Sequence, residues 1–163
     1  MKVVSNASVL ISLSSIDRLL LLRDRFPDGI AIPRTVWREV VVQGGTRPGA
    51  IEVAKSSWIR VQDVSAGPML HLLLADLDEG EAESLALACE IKADVILLDE
   101  RDARRAARSM GLRVLGTVGI LIWAKRLGMV PELRNELNVL QEKGKFRLSN
   151  FLIERALREV GEM

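Results

Sequence analysis

LDEGEAESLALACEIKADVILLDERDARRAARSMG, residues Leu77 to Gly111, reads as helix, strand, helix. The strand, Asp94 to Leu98, is apolar without a break past its first residue. That is the pattern of a parallel strand covered by helices on both faces. Asp99 follows it directly. The helix before it opens with Asp78, Glu79, Glu81 and Glu83, and the helix after it opens with Glu100 and Asp102. Ligands of open α/β sheets bind outside the C-terminal ends of the strands, so this unit crowds acidic groups where such a fold puts a site.

Working outward, Lys2 to Ser5 reads as a first strand, and Asn6 hands it over to a helix running through Leu10, Leu19 and Leu22. Pro27-Asp28-Gly29 is a turn and Gly29 to Ile32 a second strand. Pro33 suits the first turn of the next helix, where its missing N–H costs nothing. That helix carries Val36, Trp37 and Val40 with Glu39 beside them, and Gly44-Gly45 ends it. Arg47 to Lys55 reads as a short helix, Ser57 to Val61 as a strand, and Ala66 to Ala75 as a helix apolar on most sides. After the central unit come a strand at Arg113 to Leu115, a helix from Gly116-Thr117 to Gly128, and amphipathic helices over Pro131 to Lys143 and Leu148 to Val160. Strands alternate with helices throughout. The expectation is a three-layer α/β sandwich in one domain over residues 1–163, a central parallel sheet flanked by helices, with a helical extension from 131 to 163.

Composition narrows the chemistry. Apolar residues make up 48% of 163 residues, so a folded core is expected, and a net charge of +1 leaves any electrostatic site to be local. One cysteine, Cys89, excludes a disulfide framework and reads as a buried, inert thiol. A single histidine, His71, cannot build a zinc site with it. A metal here must be held by oxygen, which points to Mg²⁺ or Mn²⁺. The opening MKVVSNAS carries no signal-peptide pattern and no apolar run is long enough to span a bilayer, so a cytoplasmic protein with no membrane partner is expected. Few Asn and Gln beside many Arg and Glu point to a thermophilic source.

Each acid has a structural reading. Asp78 and Glu81 have capping-box spacing. Asp99 can cap the helix that starts at Glu100, with Asp102 three residues on, and Asn6 can cap the helix after strand one. Capping does not require these residues to converge, whereas a divalent metal requires several oxygens at once. Asn6, Asp99 and Thr117 all follow strands and so share one sheet edge, and Glu81 heads the helix feeding the Asp99 strand. Two ions on such an edge can activate a water and stabilise a leaving oxygen in phosphodiester cleavage. Arg101, Arg104, Arg105 and Arg108 form a helical stripe, either a solvated face or a track for phosphates.

The motifs resemble those of PIN-domain proteins over roughly residues 2 to 130. VVSNASVLISLSSIDRLLLL resembles the family's opening, Ile32-Pro33 with Val36 and Glu39-Val40-Val41 its second motif, GEAESLALACEIKADVILLDERDAR its third and fourth, and Gly116-Thr117-Val118-Gly119 the turn after the last strand. The GEAE-type helix and the GTVG-type turn resemble those of the VapC-like proteins of prokaryotes. The resemblance implies a Mg²⁺- or Mn²⁺-dependent ribonuclease, often the toxin of a toxin–antitoxin pair and often a homodimer. It maps the family's acidic positions onto Asn6, Glu39, Glu81 and Asp99, with Asp102 a candidate addition. The departure is Asn6, where the family usually has Asp: an amide oxygen ligates a metal without bringing charge.

The leading expectation is an endoribonuclease in which Glu81 and Asp99 bind metal, Glu39 binds metal or holds its water, and Asn6 completes the shell. Ser8 or Thr117 orients a water or a phosphate, and Arg101 and Arg105 contact RNA. The rival is a catalytically silent PIN-like module that binds RNA or a partner protein through the same groove. A receiver-like phosphate-responsive domain is the third reading, and the missing Lys after Asp99 counts against it.

Overall fold

The computed structural model describes residues 1–144 and 146–163. Among these residues, five strands form one sheet: β1 (Val3–Ser5), β2 (Ile30–Pro33), β3 (Ile59–Gln62), β4 (Val95–Leu97) and β5 (Val114–Leu115). All neighbouring pairs are parallel, and the order is β3-β2-β1-β4-β5. The central pairing sets Val3, Val4 and Ser5 against Val95, Ile96 and Leu97.

Strand alternation divides the core into two layers. Val3, Ile30, Ile32, Val95 and Leu97 face one side of the sheet. There they meet α1 (Ala7–Ser15), α2 (Leu20–Arg25), α3 (Arg34–Trp37), α4 (Ala50–Ala54), α8 (Thr117–Arg126), α9 (Leu133–Lys143) and α10 (Asn150–Glu159). Val4, Ala31, Ile96 and Leu98 face the other side, against α6 (Glu79–Glu90) and α7 (Arg101–Ser109), with α5 (Pro68–Leu73) at its margin. β4 is buried on both faces, as its unbroken apolar run requires. This is the expected three-layer sandwich of helices on both faces of a parallel sheet.

Several local expectations change. Pro33 ends β2 and is the N-cap of α3, so its ring closes a strand rather than opening a helical turn. The helix over Ala66 to Ala75 shortens to Pro68–Leu73 and buries none of its residues fully; Leu73 packs against the core, while Met69 and Leu72 stay exposed. The helix carrying Glu39 is α-helical only to Trp37 and continues as a π turn over Arg38–Val42. Such a turn inserts an extra residue and swings the following side chains around the axis. At the C-terminal end, the Glu162 carboxylate accepts from the backbone N–H groups of Leu133 (2.6 Å) and Arg134 (3.0 Å), capping α9 and fixing the segment after α10.

Candidate active site at the sheet's switch point

The strand order reverses between β1 and β4, because β1 leads outward to β2 and β3 and β4 leads outward the other way to β5. Ligand crevices of open α/β sheets form at that reversal. Asn6 follows β1 there, and its N–H donates to the Leu97 carbonyl of β4 at 3.0 Å. Asp99 follows β4, Thr117 follows β5, and α6 starts at the same edge before running back into β4.

Asn6 is 6% exposed. It occupies the N-cap position of α1, but its side chain makes no capping hydrogen bond. The expected capping role is therefore absent, and the amide is turned elsewhere. Gly80 shows where: a Cβ built on it would lie 3.2 Å from Glu39 Oε1, 3.5 Å from Asn6 Oδ1 and 3.6 Å from Asp78 Oδ1. Three side-chain oxygens from three elements thus lie around Gly80, and a methyl group there would press on Glu39 Oε1 and fill the space between them. The π turn delivers Glu39 to this point, and the Thr35 hydroxyl, by donating to Glu83, ties α3 to α6 behind it. A small recess of about 250 Å³, lined by Thr35, Arg38, Glu39, Gln43, Asp78, Glu79 and Gly80, opens beside the Glu39 and Asp78 carboxylates, and Asn6 does not line it.

Asp99 does not cap the helix after it. Glu100 is the N-cap of α7, accepting from the N–H groups of Asp102 (2.8 Å) and Ala103 (3.0 Å). Asp99 turns instead to α8, where Oδ1 accepts the Thr117 N–H at 2.7 Å and Oδ2 accepts the Thr117 hydroxyl at 2.6 Å. Burial raises the Asp99 pKa, and the Thr117 donors, the Arg104 guanidinium and the Ser8 hydroxyl oppose that rise. Ser8 lies close enough to favour the charge but outside hydrogen-bonding geometry, so its hydroxyl is buried without a partner. Gly116 has no room for a side chain, since a Cβ there would collide with the Arg104 guanidinium and lie 2.9 Å from Asp99 Oδ1.

Glu81 performs the capping box its spacing suggested: Asp78 Oδ1 accepts its N–H at 2.8 Å, and its own Oε1 accepts the Asp78 N–H at 3.2 Å. Its carboxyl is pushed up to about 7, chiefly by burial. The Asp78 N–H opposes that rise, and the charges of Asp78 and Glu100 add to it. Burial and then Asp78 raise Glu39 as well. Glu81 is buried, Asp99 half-buried and Glu39 exposed at the surface; acids with raised pKa values on a ligand edge point to a functional site.

The sequence-derived residues thus fall into neighbouring groups on one edge. Asn6 and Glu39 meet at Gly80, joined by Asp78, to which sequence reasoning gave only a capping role. Asp99, Thr117 and Ser8 stand together beside Arg104. Glu81 faces back to its own helix start. Asp102 is exposed on α7 and outside both recesses. Among the described residues, no three His, Cys, Asp or Glu side chains are close enough to hold a metal ion; the convergent set at Gly80 needs the Asn6 amide as its third donor. That set is all oxygen, which suits a hard divalent cation.

Beyond Asp99 the edge opens into a groove of about 710 Å³ between α7, the β5–α8 turn and the C-terminal segment. Arg101, Arg104 and Arg108 line one wall and Arg147 and Arg155 the other. Arg105, expected with the stripe, is exposed but does not line it.

Residues 2–162 match a family model described as a PIN domain. The chain belongs to the PIN-domain family. No curated protein and no solved structure matches it. PIN domains have a nuclease-type fold and are typically metal-dependent hydrolases, in keeping with a PIN edge built from oxygen donors. No helix among the described residues is long and apolar enough to cross a membrane.

Proposed function

We propose that this PIN-domain protein is a Mg²⁺- or Mn²⁺-dependent endoribonuclease of the VapC-like branch, the toxin of a prokaryotic toxin–antitoxin pair, working in the cytoplasm as a homodimer. The observation that carries the reading is the meeting of Asn6, Glu39 and Asp78 oxygens around Gly80, at the reversal of strand order and beside Asp99. Asn6, Glu39 and Asp99 are the ligands favoured, with Glu81 behind them and Asp78 added. A bound dication supplies positive charge for activating a water and stabilising a leaving oxygen. Thr117 holds Asp99 in one orientation through two donors, and the buried Ser8 hydroxyl beside it favours the Asp99 charge. Removal from water is the main cause of the raised pKa values at Glu39, Glu81 and Asp99, with the Asp78 charge adding to it at Glu39 and Glu81, and a dication would favour their charged forms.

The test is a metal titration read two ways. Mn²⁺ or Mg²⁺ should raise the melting temperature, because a ligand specific to the folded state stabilises it, and should switch on cleavage of single-stranded RNA that EDTA abolishes. The second reading, a silent module that binds RNA or a partner protein, is favoured by the missing charge at Asn6. Metal binding without cleavage across several RNAs would select it.

A further inference from the structure

The geometry points to the arginine groove as the track along which a single RNA strand reaches the Asp99 edge, its phosphates on the arginines and its bases on an apolar floor. This inference rests on the nuclease reading only for its direction, from groove to carboxylate. The charge is lopsided: five arginines against Asp99 at the inner end and Glu159 at the outer. Glu159 is already paired with Arg126 at 3.6 Å. Among the described residues, none of the five arginines forms an ion pair. Arg104 spends one N–H on the Leu98 carbonyl at 2.9 Å, which fixes the inner guanidinium. The neighbouring charge of Arg108 disfavours its protonated form, after burial. Asp99 offsets part of this charge at the inner end, and a polyanion relieves the rest along the groove.

Chain geometry supports a strand rather than a lone phosphate. Arg101, Arg104 and Arg108 recur at helical spacing along α7, so their guanidinium groups are laid out in a row. Arg147 and Arg155 face them from the opposite wall. Between the walls the floor is apolar: Val118 and Ile122 from α8, Leu148 before α10 and Leu152 on it. Cationic grooves follow the backbone of a single strand while its unpaired bases stack on aromatic side chains, for which Phe146 lines the same groove. A duplex would keep its bases stacked and leave the floor unused.

The experiment measures binding of a short fluorescein-labelled single-stranded RNA by anisotropy, in EDTA, with the full chain. The reversal pair Arg108→Glu/Arg155→Glu should weaken binding roughly tenfold or more and lower the salt slope by about 1.4, at about 0.7 for each phosphate no longer neutralised. Lys55→Glu, next to β3 on the opposite edge of the sheet, should leave binding unchanged. If the reversal pair fails to fold, Arg108→Gln/Arg155→Gln should show the same slope change. Equal losses from Lys55→Glu and the groove pair would overturn the inference, and so would unaltered binding by the groove pair. Tighter binding of labelled poly-glutamate than of RNA would overturn it in favour of an acidic protein partner. Hydrolysis of bis(para-nitrophenyl) phosphate by the wild-type chain with Mn²⁺ tests the nuclease reading separately, since that diester is too small to need the groove.

Discussion

Asp99 and Thr117, eighteen residues apart, are clasped by two hydrogen bonds, one to each carboxylate oxygen. The clasp places a carboxylate at the N-terminus of α8, where the helix dipole favours it, and joins the ends of β4 and β5. Asp99→Asn should preserve the fold within about 1 kcal/mol, because the amide oxygen still accepts the Thr117 N–H and the hydroxyl can turn to accept from the amide. It should abolish the Mn²⁺-induced rise in melting temperature and RNA cleavage together. A wild-type metal response from this variant would reduce Asp99 to a helix cap. Thr117→Val, by contrast, should cost about 1–3 kcal/mol, since it strips a buried carboxylate oxygen of its donor. Urea unfolding of both variants distinguishes the two effects.

The pH dependence of the metal-free protein should carry the mark of Glu81. Its folded pKa of about 7 lies above its ordinary value of 4.5. The folded state therefore holds the proton more tightly than the unfolded one, and this contribution is complete below about pH 4.5 and lost as pH rises towards 7. The loss amounts to roughly 3 kcal/mol. Glu81→Gln keeps the capping box, which accepts either residue, and should flatten this part of the profile. Identical pH profiles for wild type and Glu81→Gln in EDTA would show that the Glu81 carboxyl does not titrate abnormally.

Gly80→Ala separates site from scaffold. Alanine suits a helix better than glycine, by up to about 1 kcal/mol. Its methyl group, however, would enter the space between Glu39 Oε1 and Asn6 Oδ1. The variant should melt at or above the wild-type temperature in EDTA while responding more weakly to Mn²⁺. An undiminished response would mean that the ion does not use the oxygens around Gly80.

What the sequence made readable was whatever is local. The β4 strand is an unbroken apolar run, and the Asp78–Glu81 box is a fixed three-residue spacing, so both appear where expected. Asp99 reads as a cap for the helix next to it because nothing local announces that Thr117 competes for it from beyond the following strand. The π turn at Glu39 leaves no trace in the apolar spacing of Val36 and Val40. The α7 arginine stripe is visible as a period, but Arg147 and Arg155 join it only through the packing of α10. The expected span of α5 is too long because Met69, Leu72 and Leu74 count as core residues by type, while the fold leaves them exposed.

Those exposed residues bear on assembly. Met69 is 47% exposed, Leu72 72% and Leu74 43%, on or beside a helix that buries none of its residues. Apolar side chains grouped in this way favour association. Light scattering should give a dimer mass for the wild type, and Leu72→Glu should shift it to monomer with little change in the unfolding free energy. A wild-type monomer at working concentration would remove the homodimer from the proposal.

Asn6→Asp tests how the edge manages charge. The residue is nearly buried, has no capping partner, and shares its position with Glu39 and Asp78. A carboxylate there adds a further negative charge to a set that already repels, so the metal-free variant should be less stable than wild type, by about 1–3 kcal/mol at neutral pH. The same charge strengthens the hold on a hard dication, for which an anionic oxygen is a better ligand than a neutral one. The two effects have opposite signs, and Mn²⁺ should reveal both. The melting temperature should start lower in EDTA and rise further on titration, with a lower midpoint concentration. Cleavage of single-stranded RNA should increase if metal occupancy limits it. Loss of stability with no gain in the Mn²⁺ response would show that position 6 does not face the ion. The shell would then be left to Glu39, Asp78 and Asp99.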